Sequence, residues 1–432
     1  MRSAYQQLPA SELDQLIDEL AQEYKSYQDE HLHLDMSRGK PSPEQVKLSM
    51  PLLDVLNSRS TLEDGDAIVD NYGSPDGLPS ARALAAEILG VSPQHVIVAG
   101  SSSVNLMHDL ITRAFTHGVL GSDAFYKQGT IRWLCPAPGY DRHFKITESF
   151  GFENIAIPMT DEGPDMDLVR HYVEHDARVK GIWCNPKYSN PTGVTYSDRV
   201  VKELIEMKPL APDFRIYWDN AYAVHNFSDE DAKLLNIFEY AQSLGVHNRV
   251  YGFGSFAKIT FPSSAIAFLC AGTEDFPAIH DAFNEARVSS EKFSQLIHAR
   301  YFKDLADVRR HMKLHAALLR PRFDMVERLL SRELSELEIA SWSHPMGGYF
   351  VDLEVMPGCA RAVVQAMKEA GVLLTSAGAC WPYGNDPHDT TIRIAPTYPH
   401  LEDLERALEI LCCVVKLVCA RKIQESRDEH VA

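Results

Sequence analysis

Four clusters of chemically capable side chains each follow a short apolar run. Gly100 ends HVIVAG and, with Ser101, Ser102 and Ser103 after it, opens a helical pattern, and Asn190-Pro191-Thr192-Gly193 comes after KGIWCNP. Asp219 stands near the end of FRIYWDN, three residues before Tyr222, and Ser255 precedes Lys258 by three in GSFAK. A serine-rich helix start exposes unpaired N–H groups and hydroxyls, which is an anion site, but the same residues also make an ordinary N-cap. An Asp at a strand end is a functional carboxylate or a helix cap. A single lysine is most often a solvated surface group, and Asn-Pro-Thr-Gly alone is a turn. What the four have in common is position, because ligands of open α/β sheets bind beyond the carboxyl ends of the strands.

The elements that must hold them there are seven runs: HVIVAG from His95, IRWLCP from Ile131, NIAIPM from Asn154, KGIWCNP from Lys180, FRIYWDN from Phe214, RVYGFGSF from Arg249 and AIAFLCAG from Ala265. Near-continuous apolar runs alternating with helical stretches predict a mainly parallel, seven-stranded sheet covered by helices on both faces, a doubly wound α/β arrangement. Residues 10–30 and Ser80–Leu89 read as helices, the first ending before Gly39, Pro41 and Pro43 and the second at Gly90. Phe283 to Leu334 reads as one long helix. GGYFVDLEV, GVLLT and TIRIAP predict strands of a smaller α+β unit. Leu404, Leu408, Leu411, Val415 and Val418 then mark one face of a closing helix, and the last residues, QESRDEHVA, read as frayed. The expected division is 1–50 as N-terminal helix and arm of the small domain, 51–300 as the large domain, and 301–432 as the rest of the small one.

Composition narrows the function. The 432 residues carry 60 acidic and 42 basic side chains, a formal charge of −18, which disfavours nucleic acid as a partner. With 45% hydrophobic and 24% charged residues, no apolar run of membrane length and no signal-peptide pattern at the N-terminus, a cytoplasmic protein without a membrane partner is expected. The eight cysteines are scattered without CxxC spacing and read as reduced core residues, so no metal is expected.

Taken in chain order, YGSPDG, CPAPGY, SNPTG, DNAY, SFAK and IRIAP resemble the fold-type-I, pyridoxal-phosphate-dependent aminotransferases of the aspartate aminotransferase class. The resemblance runs from about Gly39 to Pro396. SRGKPSPE, NYGSPDGLPSAR, PGYDRHF and SFAKITF are most similar to a divergent bacterial subgroup of aspartate aminotransferases. It implies that Lys258 joins the cofactor pyridoxal 5'-phosphate as a Schiff base, that Asp219 pairs with the ring nitrogen, and that Asn190 and Tyr222 bond the ring's phenolic oxygen. It also implies that Tyr140 stacks on the ring and that Gly100, Ser101, Ser102 and Ser255 hold the phosphate. Tyr72 would reach that phosphate from a neighbouring subunit of a homodimer. Arg393 would take the substrate's α-carboxylate through a bidentate pair, beside Asn190, and Gly39 would bring backbone close to the substrate.

One departure stands out. Relatives place a phosphate-binding arginine eight residues after the lysine, where this chain has Ile266. Ser263 and Ser264 are left either to substitute with hydroxyls or to cap a turn. With the α-carboxylate held, the Cα–H bond is the one presented to Lys258, which implies transamination between an L-amino acid, aspartate by subgroup, and 2-oxoglutarate, ping-pong through pyridoxamine phosphate. Arg38, Lys40, Arg142 and His143 are the candidate cations for a side-chain carboxylate. Alternatives are an aminotransferase for aromatic or neutral amino acids, a β-lyase, or a non-enzymatic cofactor-binding regulator. For the last, the residues ahead of Asp35 are too few and too acidic to form a DNA-binding unit.

Overall fold

The computed structural model describes residues 3–431. All seven runs form strands: β1 (Val96–Val98), β2 (Arg132–Ala137), β3 (Glu153–Thr160), then a two-residue β4 (Gly163–Pro164), β5 (Val179–Cys184), β6 (Arg215–Asp219), β7 (Val250–Ser255) and β8 (Ala267–Cys270). They make one sheet in the order β1-β8-β7-β6-β5-β2-β3-β4. From β7 through β3 the neighbours are parallel, while β8 runs antiparallel to both β7 and β1. Every residue of β1, β5, β6 and β8 is buried, which is why these strands read as unbroken apolar runs. Leu106, Met107, Leu110 and Ile111 of the helix Ser103–His117 cover one face with Trp133 and Phe253. Val200, Val201, Leu204 and Ile205 of the helix Asp198–Glu206 cover the other with Ile182 and Ile216. Each such side chain contributes about 1.5–3 kcal/mol by leaving water.

The single helix expected from Phe283 to Leu334 is divided among three: Asp275–Ala286, Lys292–Tyr301 and Leu305–Leu334. The hydroxyls of Ser289 and Ser290 donate to the carbonyls of Gly73 and Ser74, drawing this segment into an extended bridge with Gly73. Asp304 starts the third helix by accepting the Asp307 amide at 2.8 Å. Short polar side chains that bond backbone in this way compete with helix continuation.

The helix Leu305–Leu334 begins after residue 300 and packs in two cores. Val308 and Met312 pack with Phe256, Ile266 and Phe268, whereas Leu319 to Leu334 join a second core. That core lies under the antiparallel sheet β9 (Ala340–Trp342), β10 (Val351–Val355) and β11 (Thr391–Ile394), packed by the helices Ala10–Asp29, Ala360–Glu369 and Leu401–Val431. Leu404, Leu408, Leu411 and Val415 are buried there, as their spacing predicts. The C-terminal residues expected to fray instead continue the last helix to Val431, and Arg427 donates to the carbonyls of Tyr5, Gln6 and Leu8. All eight cysteines are free and buried. Among the described residues no helix is long and apolar enough to cross a membrane, and no cluster of three or more metal-ligating side chains occurs.

Candidate active site

Asp219 is the last residue of β6 and is buried. Its Oδ2 lies 2.9 Å from His143 Nε2, and the His143 ring stacks on Trp183 at 4.8 Å and 12°. The other oxygen, Oδ1, is buried and has no partner. A bare buried acceptor costs about 1–3 kcal/mol, so this oxygen marks the place of a missing donor. His143 is therefore removed from the candidate cations for a substrate side chain, because its Nε2 is committed to Asp219 and its ring to Trp183. The carbonyl of Asp219 accepts from Asn185 Nδ2 at 2.8 Å, and Asn185 Oδ1 accepts the Asn190 amide at 2.8 Å, tying the Asn-Pro-Thr-Gly turn to the end of β6.

Lys258 ends a short 3-10 turn, Phe256–Lys258, directly after β7. Ser255 caps that turn by accepting the Ala257 amide at 3.0 Å and donates its own proton to the Ser101 carbonyl at 2.8 Å. The lysine Nζ stands 4.8 Å from the centroid of the buried Tyr222 ring and 5.9 Å from that of Tyr349. Burial raises the Tyr140 phenol. The Lys258 charge opposes that shift, while Tyr222, Asp141 and Asp219 add to it, so Tyr140 is within electrostatic reach of both Lys258 and Asp219. Burial likewise raises the Tyr222 phenol, with Asp219 adding and Arg393 opposing.

Arg393, in β11, is buried over the Phe350 ring at 4.8 Å. Its Nε and Nη2 donate to Thr375 Oγ1 at 3.2 and 3.1 Å, and its Nη1 donates to Asp141 Oδ1 and Asn190 Oδ1, both at 3.3 Å. Gly39 presses on the same ring, since a Cβ there would lie 2.3 Å from Phe350 Cζ. The structure thus brings Asp219, Tyr222, Lys258, Tyr140, Asn190 and Arg393 into one neighbourhood.

The expected phosphate end is less complete. Ser102 is the N-cap of the helix Ser103–His117, yet its side chain makes no capping bond. Gly100 has a left-handed backbone, φ +66°, and its amide donates to Glu291 Oε2 at 3.0 Å. Ile266 is buried among Phe256 and Phe268, a position that excludes a guanidinium. Ser263 and Ser264 lie exposed in a turn closed by the Ser264 amide on the Phe261 carbonyl. Tyr72 is 77% exposed and stands apart from the group. Of the remaining cations, Arg38 and Arg142 are exposed and Lys40 lies 3.7 Å over the Tyr398 ring.

Sequence reading missed Asn185, Asp141, Thr375 and Phe350. Asn185 and Thr375 close the predicted strands KGIWCNP and GVLLT, a position shared with Asp219. Asp141 and Phe350 sit in PGYDRHF and GGYFVDLEV without any local signal of their own.

The mainly parallel sheet, the lysine turn after β7 and the carboxylate ending β6 form the fold-type-I architecture of pyridoxal-phosphate-dependent enzymes. The aspartate amino-transferase family model matches residues 8–427. An aspartate aminotransferase of Corynebacterium glutamicum is 40% identical over 405 residues, covering 93% of each chain. The crystal structure of an aspartate transaminase from that organism superposes with a TM-score of 0.93 at 39% identity, over 98% of this chain and 99% of its own. The α-aminoadipate aminotransferase LysN of Thermus thermophilus, complexed with N-(5'-phosphopyridoxyl)-L-leucine, shares the fold at 22% identity and a TM-score of 0.73, over 90% of this chain and 93% of its own. The chain belongs to the aspartate aminotransferase family and is an aminotransferase.

Proposed function

We propose that this aminotransferase uses pyridoxal 5'-phosphate to move the amino group of an L-amino acid, aspartate foremost, to 2-oxoglutarate. The observation that carries the reading is the buried Asp219 Oδ1, without a partner while His143 holds the other oxygen. Its missing donor fits the protonated ring nitrogen of the cofactor. When bound, that cofactor supplies an electron sink for the charge left at the substrate's Cα. Lys258 Nζ anchors it and, once released, is the base placed to take the Cα proton, a contribution of about 10²–10⁴ in rate. Asn190 and Tyr222 serve the phenolic oxygen, Tyr140 the ring face, and Gly100, Ser101, Ser102 and Ser255 the phosphate. Arg393, steadied by Thr375, takes the α-carboxylate, and Gly39 closes the substrate's side of the pocket.

A cytoplasmic homodimer accompanies this reading, with residues 51–300 as the cofactor-binding domain and 1–50 with 301–432 as the smaller one. Tyr72, Ile68, Val288 and Phe293 are large, exposed apolar side chains on or next to the two segments bridged by Gly73 and Ser289. Such a surface supports an interface with a second copy, across which Tyr72 would reach that copy's phosphate.

The test combines spectra with turnover. Lys258→Ala is expected to lose the yellow absorbance that the protein gains on adding the cofactor. An unchanged spectrum identifies another lysine as the anchor. A panel of amino donors and 2-oxo acids is expected to give fastest turnover with aspartate and 2-oxoglutarate. A clear preference for aromatic or neutral donors, or elimination without transfer, overturns the substrate assignment.

A further inference from the structure

The peptide carbonyls of Lys258 and Ile259 are held by side chains from distant segments that the proposed chemistry leaves unused. The Lys258 carbonyl accepts from the Tyr349 hydroxyl at 3.3 Å and faces His225 Nε2 at 3.4 Å. The Ile259 carbonyl faces His311 Nε2 at 3.0 Å and Ser49 Oγ at 3.4 Å. Behind them, Gln45 Nε2 donates to the Tyr349 oxygen at 3.0 Å and lies 3.1 Å from His315 Nδ1, and His315 Nε2 lies 3.1 Å from His311 Nε2. Gln45, Ser49, His225, His311, His315 and Tyr349 are all buried.

The protons along the arm from Gln45 through Tyr349 have a consistent arrangement. Gln45 Oε1 accepts the Ser42 amide at 3.0 Å in a capping box, which fixes its amide so that the NH2 group faces Tyr349 and His315. One amide proton serves each. Tyr349, accepting from Gln45, turns its own proton to the Lys258 carbonyl. His315, accepting at Nδ1, carries its proton on Nε2. His225 Nδ1 is buried with no partner, so the single proton of that neutral ring sits on Nε2, toward the Lys258 carbonyl. Burial, and then the Lys258 charge, brings His225 down to about 3. Burial, with His311 adding, brings His315 to about 3, and burial lowers His311 too. The rings stay neutral, so His311 Nε2 accepts the His315 proton and the Ile259 carbonyl is left to the Ser49 hydroxyl.

We propose that Gln45 and Tyr349 are positioning residues for Lys258, forming a buried relay from the segment 42–49 to the peptide carbonyl of the lysine turn. The relay rests on the reading of Lys258 as the cofactor-anchoring amine. A three-residue 3-10 turn has little rigidity of its own, and the carbonyls at its end are satisfied by the hydroxyls of Tyr349 and Ser49, not by backbone amides. Fixing them fixes the path of the chain that carries the amine. Tyr349 is followed directly by Phe350, the ring that lies under Arg393 and against Gly39. The same short stretch, pressed by the same N-terminal segment, therefore sets both the amine and the α-carboxylate fork. Misplacing a reacting group by ~1 Å costs about 10²-fold in rate, which makes such a brace worth its buried polar groups.

The experiment compares Tyr349→Phe, Gln45→Leu and the double variant with the wild-type chain, each loaded with pyridoxal phosphate. It reads the pH midpoint of the visible absorbance of the cofactor joined to Lys258, together with kcat and KM. Tyr349→Phe is expected to displace that midpoint by about half a unit or more and to lower kcat about tenfold, with KM for the amino donor within about twofold. The double variant is expected to be no worse than the more damaged single one, because both break one chain. A wild-type midpoint in Tyr349→Phe, or losses that multiply in the double variant, overturns the relay. Should Gln45→Leu fail to fold, Tyr349→Phe, which keeps the ring, decides alone. Absence of any visible band in the wild type overturns the cofactor reading instead, so the two failures are distinct.

Discussion

Asp352 lies in β10 directly opposite Arg393 in β11, buried, with its Oδ1 lacking any partner. Burial raises its carboxyl to about 8, with Glu354 and Asp386 adding repulsion and Arg393 opposing. In the unfolded chain the same group titrates near ~3.9. Because the folded value is the higher one, the native state holds the extra proton between about pH 4 and about pH 8, and stability falls as pH rises through that window. A gap of about four units at ~1.36 kcal/mol each sets a ceiling of roughly 5–6 kcal/mol. An effective interior dielectric of ~20 brings the expected loss to about 2–3 kcal/mol. Asp352→Asn keeps the shape of the neutral acid and cannot ionise. In urea unfolding the variant is expected to match the wild type within about 1 kcal/mol near pH 5 and to be about 2–3 kcal/mol more stable near pH 9. Other titrating groups cancel in the difference between the two proteins. Wild-type and variant stabilities that move in parallel across this range would refute a buried, protonated Asp352.

Two further outcomes follow from the site. Arg393→Ala is expected to raise KM for the amino acid and the oxo acid together, by about 10²-fold, since both present the same carboxylate to a charge-assisted fork. Arg393→Lys should recover only part of this, and steady-state kinetics that change for one substrate alone count against the role. Ile266→Arg, which restores the arginine of relatives, is expected to destabilise the fold by about 3–5 kcal/mol, because the side chain enters the core between Phe256 and Phe268. A folded variant with tighter cofactor binding, read by thermal unfolding and cofactor titration, would show that the position reaches the phosphate after all.

The strands were legible because both faces of the large sheet are covered: no polar alternation interrupts β5 or β6, and flanking turns mark their ends. The break near residue 288 was not, because Ser289 and Ser290 end their helix by reaching Gly73 and Ser74, more than two hundred residues back. β9 was missed for a different reason. Its three residues include none that is buried, so burial leaves no pattern to read. In the site, Asp219, Asn190 and Lys258 announce themselves because Asp219 ends its strand and the other two stand in the turns that follow theirs. The partner of Asp219 does not. His143 lies 76 residues earlier on a helix, where its spacing marks only an inward face, and a histidine next to Arg142 reads equally well as a substrate cation.

Arg393 shows why counting cations along a chain of net charge −18 says little about what a pocket prefers. Its Nη1 is shared by Asn190 and by Asp141, a carboxylate from the neighbouring helix start. In the role proposed for Arg393, an arriving α-carboxylate would compete with Asp141 for the same N–H, so the affinity gained would be a difference between two carboxylates and not the full strength of an arginine pair. The Nε and Nη2 bonds go to the uncharged Thr375 hydroxyl and hold the plane of the fork. Orientation is thus set by groups that never change partner, and strength by one that does. On the role proposed for Arg393, the strength of the site toward an α-carboxylate therefore depends on where Asp141 goes once displaced.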